Sequence, residues 1–266
     1  MIVIKVPGLN SFGKNDGCRN AGNSIIAGLD DIWASEKGKP IDRKLLDLEE
    51  IHVDNKNIEE QEKLIYDNSL EEFEKQNKII FLGGDHSISY PIGKAFLKNC
   101  IRKREQPCLI VFDAHPDCMK PMQNPTHEEW LRALVESGFP SQNILLVGVR
   151  NSDRKEIEFL AENNIKQISI NEINANIEET TDTIMEFSSG NSLYVSFDID
   201  AVDPVFAPST GYSEPGGLTS RQAIYIMTRI GMMKNLKAFD IVEVDSENDK
   251  TGLTVKLASK ILGELL

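Results

Sequence analysis

Short, almost uninterrupted runs of β-branched and aliphatic residues alternate with stretches of helical length along the whole of this sequence. The runs are Ile2–Val6, Ile79–Leu82, Leu109–Phe112, Ile144–Val149, Gln167–Ile170, Leu193–Phe197 and Ala238–Val244, and each stops at or near a Gly, Asp or Asn. A strand wetted on one face alternates apolar and polar residues, whereas a run without a polar phase is buried on both faces, as in a parallel sheet covered by helices. Between the runs lie segments of helical length and period: 56–77, 91–104, 127–138, 153–163, 176–189, 219–234 and 251–265. The alternation predicts a three-layer α/β fold around a mostly parallel sheet. The 266 residues suffice for a full core, and no repeat, low-complexity tract or linker divides them, so one domain spanning 1–266 is expected.

The net charge of −13 argues against nucleic acid or an anionic membrane surface as partner and is compatible with a small cationic ligand. The apolar run at the N-terminus is too short for a signal peptide and reads as a first strand. No stretch approaches the roughly 18 apolar residues that cross a bilayer. The cysteines, Cys18, Cys100, Cys108 and Cys118, form no CxxC pair. A reduced, cytoplasmic protein is the expectation.

Ligands of open α/β sheets bind at the carboxyl ends of the strands. Three expected strands end in chemically capable residues: Gly83-Gly84-Asp85-His86-Ser87, Asp113-Ala114-His115-Pro116-Asp117 and Asp198-Ile199-Asp200-Ala201-Val202-Asp203-Pro204. In extended backbone, residues i, i+2 and i+4 face one side, so Asp113, His115 and Asp117 can converge, as can Asp198 and Asp200. Clustered carboxylates at a buried strand end repel one another and cost several kcal/mol unless a cation neutralises them. Together with His86 they form a metal-ligand set. Carboxylates and imidazoles suit a hard or borderline ion such as Mn²⁺ better than a thiolate-bound zinc. The charge of Asp113, Asp117, Asp198 and Asp200 balances two divalent cations, a binuclear centre able to supply hydroxide at neutral pH.

These segments, GGDHS at 83–87, DAHPD at 113–117, GVR at 148–150, SFDIDAVDP at 196–204, GGLT at 216–219 and DIVEV at 240–244, together resemble the ureohydrolase family of arginase, agmatinase, formimidoylglutamase and relatives. The resemblance runs from about Gly83 to the C-terminus. It implies an eight-stranded, mostly parallel sheet between helix layers. It also implies two Mn²⁺ per chain, one held by His86, Asp113, Asp117 and Asp198, the other by Asp113, His115, Asp198 and Asp200. Glu243 matches the glutamate that pairs with the substrate guanidinium. The implied reaction is hydrolysis of a linear guanidine or amidine, with urea as product if the substrate is a guanidine, and the implied assembly is a trimer or hexamer.

Several residues carry two readings. His127 lies ten residues after Asp117, a spacing similar to that of the proton-shuttle histidine of agmatinases, but the usual His-Gly pair is absent. Thr126 and Glu129 look like a capping box, which makes His127 equally a solvent-facing histidine in the first turn of a helix. Asp153 is either a substrate-binding carboxylate, as in arginases, or a helix N-cap. His52 reads as exposed or structural, Cys118 as a packing residue, and Asp85 and Asp203 as residues that orient ligands or cap turns.

The leading expectation is a manganese amidinohydrolase, agmatine-like rather than arginine-like, because the longer arginase loop after Asp117 is missing. Formimidoylglutamate or another guanidino acid is the first alternative. A zinc deacetylase-type amide hydrolase, which uses one metal, and a non-catalytic metal- or polyamine-binding regulator are alternatives from other classes.

Overall fold

The computed structural model describes residues 1–11, 13–76 and 78–266. Its strands are β1 (Ile2–Val6), β2 (Asp47–Glu50), β3 (Ile79–Gly83), β4 (Pro107–Phe112), β5 (Ile144–Val147), β6 (Lys166–Ile168), β7 (Ser192–Asp198) and β8 (Leu236–Val242). They form an eight-stranded sheet in the order β2-β1-β3-β8-β7-β4-β5-β6. Its recorded strand pairings are parallel, with register such as Phe81 opposite Asp240 and Phe112 opposite Phe197. The helices are α1 (Ala21–Gly28), α2 (Ile58–Lys75), α3 (Ser89–Lys103), α4 (Trp130–Glu136), α5 (Arg154–Glu162), α6 (Ile170–Ala175), α7 (Ile177–Phe187), α8 (Ser220–Gly231) and α9 (Leu253–Leu265).

Because side chains alternate across a strand, each strand feeds both helix layers. Ile79 and Phe81 of β3 pack with Ile65 and Phe73 of α2, Phe96 of α3 and Trp130 of α4. Ile80 and Leu82 join the opposite cluster with Ile25 of α1, Ile226 of α8 and Ile261 of α9. Each fully buried side chain of this kind contributes about 1.5–3 kcal/mol. The acidic segment Glu59 to Glu74 is the wet side of α2, whose buried residues Gln61, Ile65, Ser69 and Phe73 recur every fourth position. Among the described residues, no helix is long and apolar enough to cross a membrane.

The three-layer architecture agrees with the sequence reading, while several boundaries differ. β2 is Asp-Leu-Glu-Glu, an acidic edge strand paired on one side to β1, and it has no apolar run to announce it. β5 stops at Val147 because Gly148 turns to φ +98°. β6 stops at Ile168, since Ser169 accepts a hydrogen bond from the Glu172 amide and caps α6, so Ile170 is helical instead of extended. The expected end of the helical segment 56–77 at Asn77 lies outside the described residues. The segment 127–138 is helical only from Trp130; His127 sits in the turn before it.

Candidate metal centre

β3, β8, β7 and β4 are consecutive neighbours at the middle of the sheet. Their carboxyl ends therefore deliver His86, Glu243, Asp198 and Asp113 to one place. After β3 the chain turns through Gly84, where a Cβ would lie 2.1 Å from the Gly8 carbonyl oxygen, so only glycine lets the two loops meet. Gly84→Ala is expected to cost about 1–3 kcal/mol of stability; an unchanged thermal midpoint in calorimetry would refute this account of the turn. Asp85 then caps the short 3₁₀ turn His86–Ile88 by accepting from the Ser87 amide at 3.1 Å, and it also accepts from the Asn10 amide at 2.6 Å.

The sequence-predicted ligands lie together. The Nδ1 of His86 is 3.0 Å from Asp113 Oδ2, 3.0 Å from Asp117 Oδ2 and 3.2 Å from Asp198 Oδ2. The Nδ1 of His115 is 3.0 Å from Asp200 Oδ2 and 3.5 Å from Asp113 Oδ1. Asp113 thus offers one oxygen to each group. Two sets, His86–Asp113–Asp198 and Asp113–His115–Asp200, bring their ligand atoms within 4.8 Å of one another. The carboxylates are held by backbone amides: His115 N–H donates to Asp113 Oδ1 at 2.6 Å, Asp200 N–H to Asp198 Oδ1 at 2.8 Å and Ala114 N–H to Asp200 Oδ1 at 3.0 Å. Each of Asp113, Asp198 and Asp200 is left with its other oxygen facing inward.

The donor set fits divalent cations. His86 Nδ1 and Asp113 Oδ2 are buried without a hydrogen-bond partner, although they lie 3.0 Å apart. Buried polar atoms are rarely left so. Burial and the neighbouring carboxylates Asp200 and Asp113 push Asp198 well above the usual carboxylate range, and burial and then Asp113 raise Asp200. Burial opposes charging of His115, but its carboxylate partners Asp113 and Asp200 outweigh it and raise the imidazole to about 12. These shifts follow from negative charge crowded at one buried place.

His86 is oriented from behind. Its Nε2 lies 2.9 Å from Ser196 Oγ, and Ser196 Oγ–H donates to Asp240 Oδ1 at 2.7 Å. Asp240 also receives the hydroxyls of Tyr194 and of Ser89, the latter at 2.7 Å. With Ser196 spending its proton on Asp240, Nε2 carries the imidazole proton and Nδ1 presents its lone pair to the carboxylates.

The cluster floors a cavity of about 300 Å³ whose walls include Met119, His127, Glu128, Asn151, Asp153, Glu156, Thr210, Tyr212 and Glu243. No Lys or Arg is among these lining residues. Glu243 enters at φ +62°, and Asp117 has φ +52°. Among the described residues the other non-glycine residues with positive φ, Arg104 and Asn164, end α3 and follow α5, whereas Asp117 and Glu243 hold this strain at the cavity. Glu243 Oε1 accepts from the His86 amide at 2.8 Å, and its Oε2 lies 4.0 Å from the buried thiol of Cys18. Burial and then Asp198 push Glu243 well above the usual glutamate range.

His127 is 5% exposed, which removes the solvent-facing reading. Neither ring nitrogen has a hydrogen-bond partner among the described residues, and the ring packs on Tyr212 at a centroid distance of 5.2 Å. Asp153 caps α5 in a reciprocal box with Glu156, as its N-cap reading has it, and also lines the cavity. His52 is exposed, Cys118 is buried in the core cluster, and Asp203 accepts from Val205 and Gly216 amides as a turn cap. Sequence reasoning passed over Glu156, although its place in the Asp-x-x-Glu capping pattern marks it, and Thr210 and Tyr212, for which the irregular 203–218 segment gives no signal.

A three-layer α/β chain with paired His/Asp groups at the carboxyl edge of its central strands carries a candidate binuclear metal site. The arginase family model matches residues 1–266, and the chain belongs to the arginase family. It is 32% identical over 188 residues to the agmatinase of Bacillus subtilis, a match covering 70% of this chain and 61% of that protein. It is 29% identical over 218 residues to an arginase of Schizosaccharomyces pombe, covering 72% of this chain and 65% of that one. The chain thus spans somewhat under two thirds of the length of these curated relatives. The crystal structure of formimidoylglutamase from Bacillus subtilis superposes with a TM-score of 0.89 at 23% identity, covering 99% of this chain and 85% of that one.

Proposed function

We propose that this chain is a binuclear manganese amidinohydrolase that cleaves a linear guanidine with a cationic tail, agmatine-like rather than arginine-like, and releases urea. The observation that carries the reading is the pair of His/Asp groups sharing Asp113 at the floor of a cavity walled by carboxylates. One ion would be held by His86, Asp113, Asp117 and Asp198, the other by Asp113, His115, Asp198 and Asp200, with Asp113 and Asp198 common to both. When bound, the ions supply Lewis acidity and activate water as a nucleophile at neutral pH.

The chain's own residues do the rest. Glu243, fixed by the His86 amide through Oε1, has Oε2 to pair with the guanidinium and hold its central carbon in place. Water adds to that carbon, a C–O bond forms, and the C–N bond to the tail nitrogen breaks. An alkyl amine leaves only with a proton on its nitrogen, which His127 would deliver. Glu128, Asp153 and Glu156 give the outer cavity negative charge that favours an ammonium tail and disfavours a carboxylate. Lys14 is not among the lining residues; its ammonium lies 4.4 Å over the Tyr212 ring.

The test is urea release with Mn²⁺ from agmatine, arginine, guanidinobutyrate and guanidinopropionate, alongside ammonia release from formimidoylglutamate. The highest kcat/KM is expected for agmatine. Faster turnover of arginine or of an anionic-tailed substrate would overturn the tail assignment. Two bound ions without turnover on any of them would favour a metal- or polyamine-binding regulator, and one ion per chain the deacetylase-type reading.

A further inference from the structure

Trp130 is fully buried at the first position of α4, and the use of its indole N–H is unusual. It donates to Asp117 Oδ2 at 2.8 Å, the same oxygen that lies 3.0 Å from His86 Nδ1. Its ring packs on the His86 ring at a centroid distance of 4.6 Å and an interplanar angle of 37°. One side chain therefore touches both residues through which β3 and the loop after β4 meet. Asp117 needs such support, because its left-handed backbone persists only where its surroundings fix it. The Leu131 amide adds a second tether, donating to the Asp117 carbonyl at 3.2 Å.

The same residue is joined to His127. Glu129 N–H donates to the Thr126 carbonyl at 3.2 Å, and Glu129 Oε2 accepts the amides of Thr126 and Met122, each at 3.2 Å. The Met119 amide donates to the Glu128 carbonyl at 3.1 Å. The turn that carries His127 is thus welded to the first turn of α4, and α4 begins on the side chain that holds Asp117.

We propose that Trp130 is a positioning residue that couples metal occupancy at His86 and Asp117 to the placement of the His127 turn. The inference rests on the functional reading above only for the assignment of His86 and Asp117 as ligands. An ion held by His86 and Asp117 would fix the carboxylate that Trp130 binds. The fixed indole in turn orders residues 126–131, and by linkage the ordered turn strengthens ion binding in equal measure.

The chain's tryptophans are Trp33, 86% exposed, and Trp130, so Trp33→Phe leaves Trp130 as the sole indole emitter. Chelator-stripped Trp33→Phe protein titrated with Mn²⁺ is expected to lose indole emission in step with ion uptake. Trp130→Phe keeps an aromatic ring against His86 and deletes the hydrogen bond. It is expected to bind one of the two ions about tenfold more weakly, the scale of a lost outer partner of a metal ligand, with the other ion unchanged. Hydrogen exchange at residues 126–131 is expected to slow on Mn²⁺ binding in the native chain, and to slow less in Trp130→Phe. Native affinity for both ions together with native exchange in Trp130→Phe would overturn the inference, even if emission were quenched, because quenching needs only proximity. If Trp130→Phe does not fold, the native chain decides: unchanged exchange at 126–131 on Mn²⁺ binding overturns it. Failure of the native chain to take up Mn²⁺ overturns the functional reading as well, so the two failures are distinct.

Discussion

His115→Ala takes up one Mn²⁺ fewer per chain than the native protein and loses turnover by more than about a hundredfold, beyond the range seen when only an outer partner of a metal ligand is removed. The expectation follows from how unevenly the two groups are built. The group around His86 has three carboxylate oxygens within 3.2 Å of Nδ1 and is braced behind by Ser196 and Asp240. The group around His115 has Asp200 at 3.0 Å and Asp113 at 3.5 Å, and its imidazole is partly exposed. Removing the imidazole leaves Asp200 with Oδ1 tied to the Ala114 amide and Asp113 with Oδ1 tied to the amide of residue 115, so neither carboxylate can swing to replace it. The first group should stay occupied, so the protein should bind one ion and stay folded. Metal analysis after gel filtration, paired with urea release, reads both effects. Native stoichiometry in the variant would sink the assignment of His115.

The sheet and its ligand-bearing ends were readable because burial on both faces leaves a continuous apolar run, and a sudden Asp-x-His-x-Asp at its end has no packing rationale. What escaped the sequence lacked such contrast. β2 is an edge strand with little buried surface, and its Asp-Leu-Glu-Glu reads as loop. α1 contains Gly22 and Gly28, residues that weaken a helix by about 1 kcal/mol each in isolation. The structure explains them by close approach, since a Cβ at Gly22 would come within 3.3 Å of the Leu82 carbonyl oxygen and one at Gly28 within 2.2 Å of Ser259 Oγ. Tertiary contact, invisible in a local window, overrides propensity there. The outer cavity was the least readable part. Tyr212 and Thr210 come from an irregular segment, held in place when Arg150 donates to the carbonyls of Asp200 at 2.7 Å, Glu214 at 2.6 Å and Pro215 at 3.0 Å. The GVR motif was visible, but the Asp200, Glu214 and Pro215 carbonyls that Arg150 reaches are 50 to 65 residues away.

The altered segment before α4 explains why His127 divides so sharply from the ligands. Thr126 and Glu129 have the spacing of a capping box, and half of that box forms: Glu129 Oε2 accepts the Thr126 amide at 3.2 Å. The same oxygen also accepts the Met122 amide, so the turn closes on the preceding loop and the helix starts only at Trp130. His127 is turned inward as a result, against Tyr212 and into the cavity that holds the metal-ligand set.

His127→Ala is accordingly expected to keep both ions and to lower kcat by about 10²–10⁴, the range for a positioned acid–base group. A histidine locked by a hydrogen bond at one nitrogen is confined to one tautomer. Here Nδ1 and Nε2 are both free of partners, and the ring is held by packing, so one nitrogen can give a proton to the leaving amine while the other is resupplied. Glu128, whose Oε1 is 3.8 Å from Nε2, stands on the more exposed side as a route from solvent. Loss of proton delivery should appear in kcat more than in KM, since Glu243, the proposed partner of the guanidinium, and the proposed metal ligands are untouched. A substrate whose leaving amine has a lower pKa should be less affected, because its nitrogen departs with less help. Added imidazole should restore part of the rate by filling the space the ring vacates. Full activity of His127→Ala, or a loss confined to KM, would leave the histidine a wall of the cavity and move the proton donor elsewhere.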